Sequence, residues 1–223
     1  ELIDKGDSNT HLLLSSTHYD KLKPEHIQSL MNNGDIATKE ALKVNEDPHH
    51  IQSLVDKGDT DVNLSLINKL SVDKLEPHIQ SLIDKGDGRV HSNLINKLSD
   101  KLKPHHIKEL IDKDNSNVHS TLIDALSTDK LEPHIQSLID KDNANMHLDL
   151  INKLGDKLKP HHIKELIDKG DGSVHSSLIN KLSTDKLEPH ISTLIDKGDA
   201  NVHSDLINKL KDKLETEHIS ALI

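Results

Sequence analysis

Histidine is the residue in this chain best equipped for chemistry, and it occurs 18 times in 223 positions. An imidazole can ligate a metal, move a proton near neutral pH, or hydrogen-bond through each ring nitrogen. Its spacing here is regular. The dipeptide His-Ile stands at His50, His78, His106, His134, His162, His190 and His218, each 28 residues after the last, with an earlier copy at His26, 24 residues before His50. A second ladder, mostly after valine, comprises His11, His91, His119, His147, His175 and His203. His18, His49, His105 and His161 complete the set.

A zinc site needs several nitrogens about 2.0–2.1 Å from one ion. Ladder neighbours on adjacent stacked helices sit about 8–10 Å apart, axis to axis. Consecutive rings such as His105 and His106 point about 100° apart on a helix. Neither arrangement converges on a metal, and no metal or other cofactor is expected. The ring nitrogens are expected to bond turn carboxylates or carbonyls of the neighbouring unit. Proton sensing is the second reading. The ordinary histidine pKa of about 6.5 places a change in stability or association between about pH 5 and 7, with its sign open.

Other candidate chemistry is weaker. Asp112, Asp114 and Ser116 match the first ligand positions of a calcium loop, but Asn117 stands where glycine is needed and Ile123 where glutamate is needed. A capped turn is the expected structure. There is no Gly-x-Ser-x-Gly, no glycine-rich phosphate loop and no cysteine, so the chain is read as non-enzymatic, without a small-molecule substrate.

The histidines ride on a unit of two helices. In 104–131, Ile107, Leu110 and Ile111 share one helical face, and Pro104 suits a first turn where its missing N–H has no cost. This predicts helix A over Pro104–Lys113. Val118, Leu122, Ile123 and Leu126 make a second stripe, predicting helix B over Ser116–Ser127. Asn115, and Asp59, Asp87, Asp171 and Asp199 in sister units, are natural N-caps. Gly58, Gly86, Gly170 and Gly198 are expected to end helix A in the left-handed region, with Asp114 and Asp142 as strained substitutes. Ser127–Leu131 reads as a turn or short 3₁₀ segment with one apolar anchor.

A unit this small cannot bury its own apolar face, so copies must stack into an all-α solenoid with a 28-residue repeat. The motifs KLKPHHI and KLEPHI alternate, which suggests a 56-residue double repeat, as in 104–159 against 160–215. Lys103, Glu132, Lys159 and Glu188 alternate in charge and could pair between neighbouring units. Residues 1–223 read as one solenoid with an irregular short unit around 24–47. Both ends fall inside a unit, so the chain reads as a piece of a longer protein.

Composition agrees with this assignment. Apolar content is 33%, and Phe and Trp are absent, so the core must be Leu, Ile and Val. Periodicity and mixed charge distinguish the chain from a disordered one. A net charge of -10 disfavours nucleic acid and anionic membrane as partners. The turn pairs Thr60-Asp61, Gly88-Arg89 and Ser116-Asn117 vary as in modular DNA readers, but they lack the positive charge such readers need. The absence of cysteine fits a reducing compartment, and a cytoplasmic location is expected.

The order LIDKGD, two variable residues, Val-His and an apolar helix resembles the leucine-rich-repeat variant and HEAT-like families. Ala41–Ile51 is most similar to the former. Those families usually carry arginine where His91, His119, His147, His175 and His203 stand. The resemblance implies a right-handed α-solenoid that binds protein, with helix B lining the concave face. The five histidines, beside Asn96, Asn152, Asn180 and Asn208, are then the candidate partner-binding stripe. A protein-binding scaffold is the leading expectation. The uniformity of Ser92-Asn93, Ser120-Thr121 and Ser176-Ser177 suits a repetitive partner, a spacer or a self-assembling array.

Overall fold

The computed structural model describes residues 7, 8, 10, 11, 14, 23–33 and 48–222. Of the irregular short unit expected around 24–47, residues 34–47 lie outside these, as does His18. The described residues form helices and no strand. They fall into two compact units, Glu1–Glu109 and Leu110–Ile223.

In the first unit, α1 (Pro24–Asn33), α2 (Pro48–Asp56) and α5 (Ile79–Lys85) are helices of type A. The B helices are α3 (Thr60–Lys69) and α6 (Gly88–Leu98), with the short α4 (Val72–Leu75) between them. Each A helix packs on the next A helix, α3 packs on α6, and α2 and α5 pack on the B helices that follow them, α3 and α6. The boundary between the units falls inside α7 (Pro104–Asp112).

The second unit repeats this plan. Its B helices are α8 (Ser116–Ala125), α11 (Ala144–Leu154), α13 (Gly172–Lys181) and α16 (Ala200–Leu210), packed in sequence as one row. The A helices α10 (Ile135–Ile139), α12 (Pro160–Lys169), α15 (Ile191–Lys197) and α17 (Thr216–Ala221) form the other row. The short α9 (Thr128–Leu131) and α14 (Thr184–Leu187) connect B to A through a 3₁₀ turn.

The sequence accounts for these elements closely. Helix A of the sample unit ends at Asp112 rather than Lys113, and helix B at Ala125 rather than Ser127. Ile107, Leu110, Ile111, Val118, Leu122, Ile123 and Leu126 are all buried. The expected caps are in place; Asp171 Oδ1 accepts from Ser173 N–H at 3.0 Å and Val174 N–H at 3.1 Å. Residues 128–131 differ, forming a short α-helix with Leu131 buried as its anchor and the 3₁₀ turn after it. This form alternates along the chain with a bare 3₁₀ connector, as at Ser99–Lys101 and Gly155–Lys157.

The glycines correct one expectation. Gly58 is left-handed at φ 70°, but Gly86, Gly170 and Gly198 have extended backbone. Their glycine is required by crowding. A Cβ on Gly170 would lie 2.4 Å from Leu166 O and 2.5 Å from Val174 Cγ1. Asp114 and Asp142 do take the left-handed conformation, at φ 54° and 53°, and carry the strain expected of them.

Candidate functional site

The second histidine ladder follows from the helix A to helix B turn. Val and His are adjacent at the start of helix B, so both meet the preceding A helix. In the five copies from His91 to His203, Nε2 lies at the carbonyl oxygen of the last-turn isoleucine of that A helix. The distances are 2.9 Å for His91 to Ile83, 2.8 Å for His119 to Ile111 and 3.0 Å for His147 to Ile139. They are 2.9 Å for His175 to Ile167 and for His203 to Ile195. A helix end leaves its last carbonyls without intrahelical donors, and the ring supplies one. A carbonyl only accepts, so Nε2 carries the proton. The other nitrogens of His147 and His175 are buried and without a hydrogen-bond partner. Each of these rings is therefore a fixed strut tying helix B to helix A.

This corrects two expectations. The carbonyl belongs to the helix just before, within the same helix pair, and not to a neighbouring pair. His91, His119, His147 and His175 are buried and His203 is half-buried, so they do not form a surface stripe. A side chain that satisfies an internal helix end cannot also face a partner. The structure places Asn96, Asn152, Asn180 and Asn208 differently: all four are exposed, near the ends of their B helices. Asn152, Asn180 and Asn208 share one position on the consecutive helices α11, α13 and α16, while Asn96 lies on α6 in the first unit.

The His-Ile ladder does separate work. His106 Nδ1 accepts from Lys103 N–H at 3.1 Å, closing the start of α7 as a capping-box side chain does. His218 does the same for Glu215 N–H at 3.3 Å. His78 Nδ1 lies 2.7 Å from Gln52 Oε1 on the preceding A helix. Burial lowers the pKa of His78, a shift partly opposed by Asp56. Burial also lowers those of His106 and His162, with His105 and Lys103, or His161 and Lys159, acting in the same direction. His190 is lowered by burial and then by Lys164. His49, His105 and His161 are exposed. Among the described residues, no three His, Asp or Glu side chains gather as a metal-holding group.

Sequence reasoning missed two features. Lys153 donates to Asp124 O at 2.7 Å and Lys209 to Asn180 O at 3.3 Å, each capping the end of the preceding B helix; Lys97 caps Ile67 O likewise. Their recurrence in INKL was the available signal. The second is Asn63, 28 residues before His91 and so in the histidine position, which is fully buried with neither amide atom hydrogen-bonded. Of the expected charge pairs, Lys159 meets Glu132 at 2.9 Å. In the first unit Lys101, rather than Lys103, pairs with Glu76, at 2.8 Å. In the calcium-like loop Asn115 caps Val118 N–H at 3.2 Å, and Asp114 lies 3.3 Å from Lys141.

Among the described residues no helix is long and apolar enough to cross a membrane. No protein-family model, characterised protein or solved structure matches this chain.

Proposed function

We propose that the chain is a non-enzymatic scaffold that binds protein, built as a right-handed α-solenoid of 28-residue helix pairs like those of the leucine-rich-repeat-variant and HEAT-like families. The observation that carries this reading is the set of exposed asparagines, Asn152, Asn180 and Asn208, at one position on the successive B helices α11, α13 and α16, on a frame in which His119, His147 and His175 are turned inward. An amide donates and accepts at once, so a row of them can bond both groups of an extended peptide backbone. The acidic surface favours a protein partner over nucleic acid or anionic lipid. Asn152, Asn180 and Asn208 are assigned to that contact in the second unit and Asn96 to a like contact in the first, while the five ladder histidines hold the helices that present them.

The test is capture of binding proteins by the whole chain, compared with Asn152→Ala/Asn180→Ala/Asn208→Ala. Exposed substitutions should leave folding within about 0.5 kcal/mol each. Loss of captured partners with intact helicity supports the assignment; unchanged capture refutes it.

The second reading, a component of a self-assembling array, is favoured by a different observation, the near-uniform pairs Ser92-Asn93, Ser120-Thr121 and Ser176-Ser177 on the B helices.

A further inference from the structure

The described turns from an A helix to the B helix after it take two backbone forms. At Gly86, Gly170 and Gly198 the backbone is extended, helix A runs to the lysine just before the glycine, and the glycine N–H bonds the carbonyl four residues back. The capping aspartate then accepts two N–H groups, as Asp87 does from Arg89 and Val90 at 3.0 and 3.1 Å. At Gly58, Asp114 and Asp142 the backbone is left-handed, helix A stops earlier, at Asp56, Asp112 and Ile139, and the N–H bonds the carbonyl three residues back. The cap here accepts one N–H, as Asp59 does from Val62 at 3.0 Å.

Sequence matches form at all but one of these turns. Lys-Asp-Asn is left-handed, and Lys-Gly-Asp followed by Gly or Ala is extended. Aspartate cannot take the extended form, because a Cβ on Gly86 would lie 2.5 Å from both Leu82 O and Val90 Cγ1. The mismatch is 57–60, which has the Lys-Gly-Asp of the extended turns, yet Gly58 sits at φ 70°. It differs from them at Thr60, which stands where Gly88, Gly172 and Ala200 stand. Thr60 Oγ1 donates to Asp87 Oδ2, on the next cap, at 3.1 Å. In an extended turn this position lies tight against the next cap; a Cβ on Gly172 would lie 3.0 Å from Asp199 Oδ2. A β-branched residue there, touching the following cap, therefore favours the left-handed form. The same joint lacks its strut. Asn63 stands in place of the histidine and makes no hydrogen bond to the end of α2.

We propose that Lys57–Thr60 is a two-state hinge, left-handed while Thr60 touches Asp87 and extended, like the turn at Gly86, when that contact is lost. Glycine takes left-handed and extended backbone about equally, so Gly58 bars neither state. The left-handed state keeps the Thr60 bond to Asp87. The extended state exchanges it for one more turn of hydrogen bonding, with Asp59 accepting from both Asp61 and Val62 N–H and α2 running on through Lys57. Two states of similar bond count, at a joint without a strut, are the condition for a switch. The hinge makes the end of α2 answer to the seating of α6 on α3, and it does not depend on the asparagine contact of the proposed function.

NMR on the full chain tests it. Relaxation dispersion at the Gly58 and Asp59 amides should show exchange on the μs–ms scale. Gly58→Asp, which matches positions 114 and 142, should quench that exchange, because a Cβ excludes the extended state. Thr60→Gly reproduces the sequence of 169–172 and should bring Gly58 to the extended state. Its mark is the Asp61 N–H, which gains a cap bond and should exchange with solvent on the order of fivefold more slowly, the effect of one net hydrogen bond. Helicity should hold in both variants, since each installs a turn that this chain already folds elsewhere. A left-handed Gly58 with unchanged Asp61 exchange in Thr60→Gly overturns the proposal. So does an absence of dispersion in the parent chain, or dispersion as strong in Gly58→Asp as in the parent.

Discussion

Asn63 in α3 and His175 in α13 occupy the same place in their helices, second to a buried valine and four residues after a capping aspartate. Both side chains are buried. His175 reaches Ile167 O at 2.9 Å, whereas Asn63 has two polar atoms and no hydrogen-bond partner. The difference lies in reach. The imidazole places its donor a full ring width from Cβ and arrives at the end of the A helix, while the shorter amide does not. Burial at this position is therefore dictated by the neighbouring helices, and the bond depends on the residue chosen. A buried polar group without its bond is a net loss, of about 1–3 kcal/mol.

Leu178→Ala should break the comparison most severely, since it empties the core beneath His175. A fully buried leucine at this site should cost about 2–5 kcal/mol when truncated. In a row of stacked pairs the damage should be local first. Amide exchange should rise in α13 and its row neighbours α11 and α16 before global melting. Uniform loss of protection across the second unit would contradict the row.

His175→Ala and Asn63→Ala should diverge next. The first leaves a cavity and strips Ile167 O of a donor, a loss of about 1–3 kcal/mol. The second removes two unbonded polar atoms and should be neutral or stabilising. Chemical denaturation of both variants measures the contrast, and equal losses would erase it.

Acid sharpens the comparison from another side. The folded-state pKa values of His78, His106, His162 and His190 lie below the ordinary 6.5, chiefly because burial penalises the charged ring. The unfolded chain then binds more protons wherever pH falls below that value. Stability should be complete above about pH 6.5 and decline as pH falls from there through the folded values. The melting temperature at pH 7.5 should exceed that at pH 5.5; the reverse order would show that the charged rings are favoured. A separate loss belongs to Asp168, which Lys164 and Lys197 hold at about 2; its contribution is present above its ordinary 3.8 and disappears as pH falls through 2.

Asn63→His is the smallest and most direct change. It should gain about 1 kcal/mol by making the bond to the carbonyl of Val55, the residue eight positions earlier. A lower denaturation midpoint would show that α2 and α3 are spaced differently from the other pairs.

Much of this architecture was legible in the sequence. The i, i+3, i+4 stripes located both helices to within two residues at their ends, because burial of one face has a fixed period. Asp and Asn before helix B announced their caps, since an N-cap bond spans only two or three residues. Pro48, Pro104 and Pro160 marked the start of helix A for the same local reason, whereas Pro77, Pro133 and Pro189 stand in the 3₁₀ turn just before it.

What the sequence could not decide lies between helices. Val174 and His175 are neighbours in the chain, and hydropathy assigns the ring to the surface. It is buried because the end of α12 presents a carbonyl there, and only the packing of two helices brings that oxygen within 2.9 Å. Gly170 looks like a left-handed terminator; the close approach of Leu166 O and Val174 makes it an extended glycine without room for a Cβ. Ile179 and Ile207 sit in the same INKL context, yet one is sealed and the other open, according to whether a following helix lies over it. The chain alone determined its helices, caps and period, which depend on contacts a few residues apart. Tertiary structure decided which histidines are struts and which isoleucines are covered, because those depend on atoms supplied by another helix.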